Sequence, residues 1–274
     1  MSSFIHPTAI VSENAKIGEN VYIGPYAIIE GNAVIGNNTI IKSFAKICEN
    51  TILGAHCVMH EHSVIGGAPQ DLSFKGEDTW AKIGDGVVCR EYVTINRATG
   101  EGESTVVGDR CYIMEGVHLA HNVKLGTDCI ISNKSGLSGH VHIGDFVVIG
   151  GMAGFHQFVH VGSYCMVGGF SRVTQDIPPY CLAAGVPCRV YDINKVGLRR
   201  RGFDSKARML IHEMYKVIYN SSNGIRNGIA EMSNIYKDSL YAKVILEFVE
   251  QATRGLTPRF LQGRANTTKD QAID

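Results

Sequence analysis

Aliphatic residues recur at every sixth position through the first two thirds of the chain, and this period constrains the fold more than any other feature. The first run comprises Ile5, Val11, Ile17, Ile23, Ile29, Ile35, Ile41, Ile47, Leu53, Met59 and Ile65. The same phase resumes at Ile83 and Ile95 and then runs from Val107 to Val173. Neither a helix of 3.6 residues per turn nor an alternating strand has a period of six. The pattern therefore predicts a short strand and a corner, repeated many times.

Small residues occupy two further positions of each six-residue unit. Glycine often follows the aliphatic residue directly, and a small or β-branched residue stands four positions after it, as in Ala9, Ala15 and Val21. We expect three units to complete one 18-residue turn of a three-sided coil, with aliphatic side chains inside and glycine at corner dihedrals that other residues resist. Stacked turns would pair as parallel strands about 4.8 Å apart, so each turn buries its apolar face only against its neighbours.

The composition is that of a chain able to build such a core. Of its 274 residues 45% are apolar, and 26 lysines and arginines balance 26 aspartates and glutamates, so the net charge indicates neither a nucleic-acid nor a membrane-surface partner. The sequence has no signal-peptide pattern and no long apolar run. We therefore expect a cytoplasmic protein without an integral membrane segment. The eight cysteines form no CxxC pair and are expected to be reduced packing residues.

The period stops at Pro178 and Pro179, which remove hydrogen-bond donors from the strand ladder. We assign residues 1–191 to the β-helix. Loop insertions are expected near 68–80 and 97–105, where the aliphatic period is interrupted. The predicted architecture is therefore one long coil with two loops that leave its surface.

Residues 192–274 form a second region with a different pattern. Apolar residues at helical spacing run through 205–219 and again through 241–252. We therefore predict a small helical domain that caps the prism. The last residues, 264–274, are polar and are expected to fray.

Six of the eleven histidines lie between positions 118 and 160. His121, His140 and His156 follow one another at roughly one 18-residue turn, so we expect them on one strip of surface, with His118 and His142 nearby. Such a cluster favours a functional site. Two alternatives remain open, a solvated ladder of surface histidines and a zinc site, because neutral imidazole is a common zinc ligand.

Six short segments carry a more specific resemblance. They are 65–72 (IGGAPQDL), 118–121 (HLAH), 138–141 (SGHV), 156–158 (HQF), 175–180 (QDIPPY) and 197–203 (GLRRRGF). In this order, and over nearly the whole chain, they resemble the UDP-N-acetylglucosamine acyltransferase family. The resemblance implies an all-β left-handed parallel β-helix of hexapeptide repeats followed by a small C-terminal α-helical domain.

The resemblance also implies a reaction. In this family an (R)-3-hydroxyacyl group moves from acyl carrier protein to the 3-hydroxyl of UDP-N-acetylglucosamine, the first step of lipid A biosynthesis, with no metal and no further cofactor. His121 matches the general base, and imidazole suits proton transfer near neutral pH. The backbone N–H of Gly139 matches the donor to the thioester oxyanion. Substrate-binding positions correspond to Asp71, Ser73, His118, His140, His156, Gln157, Asn194, Arg200 and Arg201.

The arginine run at 199–201 supports this interpretation independently. Guanidinium groups bind phosphates in a bidentate manner and attract acidic proteins such as acyl carrier protein. A solvated basic turn is the alternative explanation. Family members place their sites between neighbouring subunits, so the resemblance implies a homotrimer with three sites.

Several positions depart from the family pattern. Asn122 stands where many members carry aspartate, so it can accept a hydrogen bond from the base but cannot stabilise an imidazolium by charge. Ser73 replaces a lysine and Val196 replaces a glutamate. Gly169 matches a position where bulky residues shorten the accepted acyl chain, and Pro187 replaces a histidine that also limits the slot. The glycine predicts a long acyl group of the 3-hydroxymyristoyl type.

Other activities remain compatible with the sequence. A hexapeptide N- or O-acyltransferase that acts on another sugar nucleotide, such as a 3-amino sugar, would share the repeat. A zinc hydro-lyase of the β-helix carbonic anhydrase type would use three histidines, although the spacing of His118 and His121 differs from that of those enzymes. A β-helix scaffold without catalysis would need the aliphatic period but neither the histidines nor the arginines.

Overall fold

The structure, a computed structural model, describes residues 2–260 of the chain. These residues form a left-handed parallel β-helix followed by a small group of helices, which confirms the predicted fold class. The polar tail at 264–274, for which we expect fraying, lies outside the described residues.

Short strands build the β-helix, and most contain only two residues. In chain order they are β1 (Phe4–Ile5), β2 (Ile10–Val11), β3 (Lys16–Ile17), β4 (Tyr22–Ile23), β5 (Ile28–Ile29), β6 (Val34–Ile35), β7 (Ile40–Ile41), β8 (Lys46–Ile47), β9 (Thr51–Leu53), β10 (Val58–Met59), β11 (Val64–Gly67), β12 (Trp80–Ile83), β13 (Val88–Cys89), β14 (Thr94–Asn96), β15 (Ser104–Val107), β16 (Tyr112–Ile113), β17 (His118–Leu119), β18 (Lys124–Leu125), β19 (Ile130–Ile131), β20 (Gly136–Leu137), β21 (His142–Ile143), β22 (Val148–Ile149), β23 (Gly154–Phe155), β24 (His160–Val161), β25 (Met166–Val167), β26 (Arg172–Val173), β27 (Cys181–Ala184) and β28 (Arg189–Ile193).

The strands form the three walls of a prism, and successive strands pass from wall A to wall B to wall C. Wall A contains every third strand from β1 to β25, followed by β27 and β28; wall B runs from β2 to β26 and wall C from β3 to β24. Neighbouring strands are parallel, except for the antiparallel pair of β27 and β28, and they are in register, so that Ile113 pairs with Ile131 and Leu119 with Leu137. Residues one turn apart therefore stack above one another on the same wall.

The predicted aliphatic residues form one continuous core. From Ile23 to Val173 the inward residues of the β-helix strands are at most 3% exposed, and burying a side chain of this size contributes about 1.5–3 kcal/mol. Ile5, in the first turn, is 45% exposed because no turn lies beneath it. All eight cysteines are unpaired and buried, as expected for packing residues.

The expected role of glycine at the corners is wrong. The left-handed corner conformation falls three positions after the inward residue and is mostly taken by asparagine, aspartate and aromatic residues, such as Asn38 with φ 58°. The glycine that directly follows the inward residue is needed for close stacking instead. A Cβ on Gly108 would lie 2.7 Å from the carbonyl carbon of Gly126 in the next turn, well inside van der Waals contact.

Two inserts interrupt the coil at the same corner, between walls B and C. The first insert (68–79) joins β11 to β12, and the second insert (97–103) joins β14 to β15 one turn later. They bind each other and the end of β11: Arg97 N donates to Gly67 O at 2.9 Å, and the Arg97 guanidinium lies over the Phe74 ring at 5.6 Å from its centroid. The two inserts therefore form one layer beside wall B.

Four helices follow the β-helix. They are α1 (Lys195–Arg200), α2 (Ser205–Asn220), α3 (Ile225–Ile235) and α4 (Leu240–Gln251). Buried Asp176 ties the end of this region to the last turn, because its carboxylate accepts from His160 N and from Arg254 N, both at 2.7 Å. None of the helices in the described part of the chain is long and apolar enough to cross a membrane.

The stacking role of glycine predicts that the same substitution lowers stability at one site and leaves it nearly unchanged at another. Gly108→Ala should lower the free energy of unfolding by about 1–3 kcal/mol, because the added methyl meets the next turn. Gly136→Ala should change it by no more than about 0.5 kcal/mol, since a Cβ there has no atom within 4 Å. Urea unfolding of the two variants checks this, and equal losses of stability would contradict it.

Candidate active site

A cleft of about 580 Å³ runs across wall B. Its floor contains Gly136 and Gly154, where other strands carry larger side chains, and a Cβ on either glycine would meet no atom within 4 Å. Met152 and Phe170 border the cleft at the corner between walls A and B. His121 lies in its opposite edge, at the corner between walls B and C. The two glycines thus open a trench in a wall that is otherwise closed by side chains.

His121 has a hydrogen-bond partner at one ring nitrogen and a carboxylate near the other. The residue is 5% exposed, and its Nδ1 lies 2.9 Å from Asn122 Oδ1. Its Nε2 lies 3.7 Å from Asp71 Oδ2. The ring of His140, from the next turn, stands at 86° to it with centroids 5.3 Å apart. This arrangement directs one nitrogen into the protein and the other towards the cleft.

Asp71 reaches His121 from the first insert. Ser73 fixes it, because the backbone N–H and the hydroxyl of Ser73 both donate to Asp71 Oδ1 at 2.8 Å. These bonds, and then the nearby His121, lower the pKa of Asp71. Asp71 is therefore a carboxylate at neutral pH, placed beside the ring nitrogen that faces the cleft.

The backbone N–H of Gly139 is free to bind a ligand. At several corners between walls C and A the N–H of the equivalent residue donates to a side chain of the next turn, as Thr127 N does to Asp145 Oδ1 at 2.8 Å. Gly139 N–H donates to no acceptor among the described residues, and Gln157, its counterpart in the next turn, is exposed. A Cβ on Gly139 would collide with the His121 ring. Glycine thus leaves room for the imidazole, and its own N–H donates to no described acceptor.

The other predicted histidines have different surroundings. His118 Nδ1 lies 2.7 Å from Thr94 Oγ1, and burial lowers its pKa. His140 stacks on Phe158 with centroids 4.7 Å apart, and burial, then His121, lower its pKa. His156 is exposed and lies in the cleft lining. His118 and His140 are therefore neutral at neutral pH, so they are suited to form hydrogen bonds with a ligand rather than ion pairs.

Asn194, Arg200 and Arg201 lie far from this cleft. Asn194 caps α1, with Oδ1 accepting from Gly197 N at 3.0 Å, and its Nδ2 donates to Tyr164 O at 2.9 Å. The Arg201 guanidinium lies 4.5 Å from the centroid of Phe146. Tyr164 and Phe146 belong to the corner between walls C and A, which is the corner opposite wall B. One chain therefore does not bring the two groups of predicted residues together.

Comparisons with known proteins decide the family. Residues 176–257 match the family model described as Udp N-acetylglucosamine O-acyltransferase, domain 2, and residues 32–67 and 104–139 match the bacterial transferase hexapeptide model. An acyl-(acyl-carrier-protein)–UDP-N-acetylglucosamine O-acyltransferase from Sulfurihydrogenibium sp. (strain YO3AOP1) is 54% identical over 255 residues, covering 93% of this chain and 94% of the relative. The chain belongs to the UDP-N-acetylglucosamine O-acyltransferase family. It is an acyltransferase.

Two further members of the family agree with this result. The relative of the same name from Chlorobaculum parvum is 52% identical over 254 residues, which cover 92% of this chain and 96% of that protein. A solved UDP-N-acetylglucosamine acyltransferase from Bacteroides fragilis 9343 superposes with a TM-score of 0.88 at 39% identity, covering 92% of this chain and 99% of the other. The predicted membership of this acyltransferase family is confirmed.

One expectation about the histidine cluster needs correction. His142 is not near the cleft, because it follows the corner and lies on wall C, where it stacks on His160 with centroids 4.5 Å apart. A zinc site also lacks support from the geometry. In residues 2–260 the one group of three candidate ligands within 4.8 Å of one another is His60, Glu61 and Glu91, where Glu91 is already bound by Arg90.

Other site features were not predicted from the sequence. Arg172 lines the cleft, in the same column of wall B as Gly136 and Gly154, and counting turns would have found it. Thr99 bonds to Asn122 from the second insert, and no period predicts the course of an insert. Gly169, the predicted chain-length residue, lies at the corner between walls A and B next to Phe170, and a Cβ there would be 3.1 Å from Gly151 O.

His142 predicts an acid sensitivity that is separate from the cleft. Burial, then the neighbouring His160, lower the pKa of His142 to about 4. The unfolded chain takes up this proton near pH 6.5, so the stability contributed by the neutral ring is lost as the pH falls from about 6.5 towards 4. The parent should lose more unfolding free energy between pH 7.5 and pH 5 than His142→Gln does. The difference should be only about 1 kcal/mol, because water screens the partly exposed ring. Urea unfolding at both pH values checks this, with His56→Gln at an exposed corner as the control; equal pH dependence in the parent and in His142→Gln would contradict it.

Proposed function

We propose that this acyltransferase moves an (R)-3-hydroxyacyl group from acyl carrier protein to the 3-hydroxyl of UDP-N-acetylglucosamine, the first step of lipid A biosynthesis, with His121 as general base. The relatives are named as O-acyltransferases of acyl-(acyl-carrier-protein) and UDP-N-acetylglucosamine. The observation that carries the proposal is the pairing of a buried imidazole with an unused backbone donor. His121 Nε2 faces the cleft, and Gly139, which lies close to the same ring, has a backbone N–H with no acceptor in the described structure.

The chemistry follows from these two groups. A sugar hydroxyl is a weak nucleophile at neutral pH, so His121 Nε2 takes its proton as the oxygen attacks the thioester carbonyl. The new C–O bond turns the carbonyl oxygen into an oxyanion, which the Gly139 N–H stabilises. When the intermediate collapses, the C–S bond breaks and the imidazolium returns the proton to the thiolate of the phosphopantetheine arm. These reaction steps need neither a metal nor a covalent acyl-enzyme.

Polar groups around His121 are suited to a sugar nucleotide. Asp71, fixed by Ser73, offers a carboxylate to sugar hydroxyls, and His118 and His156 line the cleft. His140 lies against His121, and Gln157 is exposed in the cleft. We assign these residues to the positioning of acceptor and pantetheine arm. Carboxylates and neutral imidazoles form hydrogen bonds with hydroxyl groups, so they are suited to bind a sugar that carries several hydroxyls.

A second copy of the chain would complete the site. Asn194, Arg200 and Arg201 lie at the corner opposite wall B, so they reach a ligand in the cleft only from a neighbouring subunit. Wall A has the surface for such a contact, because the outward residues of its strands from β1 to β25 are all apolar or aromatic. They are Phe4, Tyr22, Ile40, Val58, Val88, Tyr112, Ile130, Val148 and Met166. Three such prisms close a ring, which supports a homotrimer with three shared sites.

The arginines of α1 give the donor a docking surface. Arg199, Arg200 and Arg201 are exposed at the end of the helix, and the phosphates of the nucleotide and the acidic surface of acyl carrier protein both bind guanidinium groups. In the proposed trimer this basic surface lies beside the cleft of the neighbour. The thioester then enters the trench over Gly136 and Gly154.

The base assignment predicts a large loss of turnover in one variant. His121→Ala should lower kcat for transfer from 3-hydroxyacyl carrier protein to UDP-N-acetylglucosamine by about 100- to 10,000-fold. His142→Gln, on wall C, is the matched control and should keep the parental rate. Steady-state assays with identification of the product as an O-ester test both. Robust turnover by His121→Ala, or a parent that transfers only to an amino sugar, would contradict the proposal.

Gly169 predicts a preference for long acyl chains. Gly169→Met places a long side chain at the corner beside Phe170, which borders the cleft. A side chain that blocks the end of the acyl slot discriminates between chain lengths more strongly than the loss of one methylene contact does. The ratio of kcat/KM for 3-hydroxymyristoyl over 3-hydroxydecanoyl carrier protein should fall by about tenfold or more. Gly31→Met, at a corner many turns away, is the control. An unchanged ratio in Gly169→Met would remove Gly169 as the chain-length residue.

A further inference from the structure

Asn122 is hydrogen-bonded through both its backbone and its side chain. It stands at a corner with φ 58°, a conformation that asparagine adopts more readily than most residues. Its backbone N–H donates to the hydroxyl of buried Thr105 at 2.8 Å. Its side chain binds both the catalytic histidine and the second insert. The amide therefore joins two parts of the site that are far apart in sequence.

Thr99 sets the orientation of this amide. Thr99 N donates to Asn122 Oδ1 at 2.9 Å, and Asn122 Nδ2 donates to Thr99 O at 3.0 Å. The Thr99 hydroxyl adds a third bond, to Oδ1 at 3.0 Å. A flipped amide would set donor against donor and acceptor against acceptor. Because the backbone of Thr99 can only donate through N–H and accept through C=O, Oδ1 must be the atom that faces His121.

The orientation of the amide determines the tautomer of the base. Oδ1 can only accept, so the His121 Nδ1 at 2.9 Å must carry the proton. Nε2 of the neutral ring is then unprotonated, and this is the nitrogen that faces Asp71 and the cleft. A hydrogen bond to one ring nitrogen is the usual way in which a protein selects the other as base. The ring is thus ready to accept a proton.

The same contacts connect both partners of His121. The second insert, held by Asn122 at Thr99, binds the first insert through Gly102 N, which donates to Asp78 O at 2.9 Å. Asn96, at the end of β14, adds a bond from Nδ2 to Ala68 O at 2.9 Å. The first insert carries Asp71. A closed ring of contacts therefore runs from Nδ1 of His121 through both inserts to Nε2.

We propose that Asn122 is a positioning residue for the base: its neutral amide fixes the Nδ1–H tautomer of His121 and pins the second insert at Thr99, in place of a charged partner. This inference rests on the proposed function. An aspartate at 122 would turn a carboxylate oxygen towards Thr99 O, where the amide now donates. Aspartate and asparagine are therefore not interchangeable in this chain, although they are close in size.

Other charged groups near the base are few. Asp71 faces His121 from the first insert, and His140 faces it from the next turn. Glu103 from the second insert and Lys124 from wall C act on His140. Among these only Asp71 contacts the His121 ring as an anion, so a carboxylate at 122 would add a second negative charge, on the opposite nitrogen.

The tautomer can be measured without any substrate. In protein labelled with ¹⁵N-histidine, the His121 ring signals are those absent from His121→Gln. At pH 8 the parent should show Nδ1 protonated and Nε2 unprotonated, and Asn122→Ala should show a mixture of both tautomers. An Nε2–H tautomer in the parent, or one unchanged in Asn122→Ala, would overturn the proposal. Because the sample contains no sugar nucleotide, this result is independent of whether UDP-N-acetylglucosamine is the substrate.

Kinetics separate a positioning role from a structural one. Asn122→Ala should lower kcat at least tenfold while KM for UDP-N-acetylglucosamine changes less than threefold. Asn122→Asp should raise the pKa of the lower limb of the pH profile by about one unit, because the added charge stabilises the imidazolium, and its plateau kcat should stay below that of the parent. Asn38→Ala and Asn38→Asp are matched controls, since Asn38 has the same φ of 58° at another corner. An Asn122→Asp enzyme with an unmoved limb, or with a higher plateau, would contradict the proposal.

Discussion

Each turn of this β-helix can bury its inward aliphatic residue only by stacking on the turns above and below. That requirement keeps the strands parallel and in register, as the pairing of Leu119 with Leu137, and of Leu137 with Phe155, shows. Every outward position is consequently fixed at about 4.8 Å from its counterpart in the next turn. The cleft on wall B is a product of this regularity, because glycine in two successive turns removes the side chains that would fill it.

The corners of the coil supply the chemistry with little departure from their ordinary structure. A left-handed residue occurs at nearly every corner, and at 122 it is the asparagine that contacts His121. An N–H without a backbone partner recurs at corners, and beside His121 the residue that carries it is glycine, which leaves room for the ring. The two inserts add what a regular coil lacks, a carboxylate at Nε2 and an anchor for the amide. The enzyme thus modifies one corner rather than building a separate catalytic domain.

Much of this could be predicted from the sequence because the period of six is a direct record of the coil. The inward residues, the interruptions and the helical stripes of α2 and α4 all follow from spacing. Glycine was misinterpreted, since its role at Gly108 depends on the distance between turns, which no single turn reveals. His142 was placed on the wrong wall because two residues after a corner suffice to change walls. The bonds of Thr99 were out of reach, because an insert has no repeat against which to align it.

The proposed division of the site between opposite sides of the prism has the largest consequence, because in the proposed trimer each site needs groups from two chains. Mixing inactive His121→Ala with inactive Arg201→Ala protein, after dissociation and reassembly, tests this directly. If each site takes the base from one copy and the arginine from the next, about a quarter of the sites in random trimers contain both groups. The account predicts recovery of about a quarter of the parental rate. No recovery from trimers shown to contain both variants would contradict it.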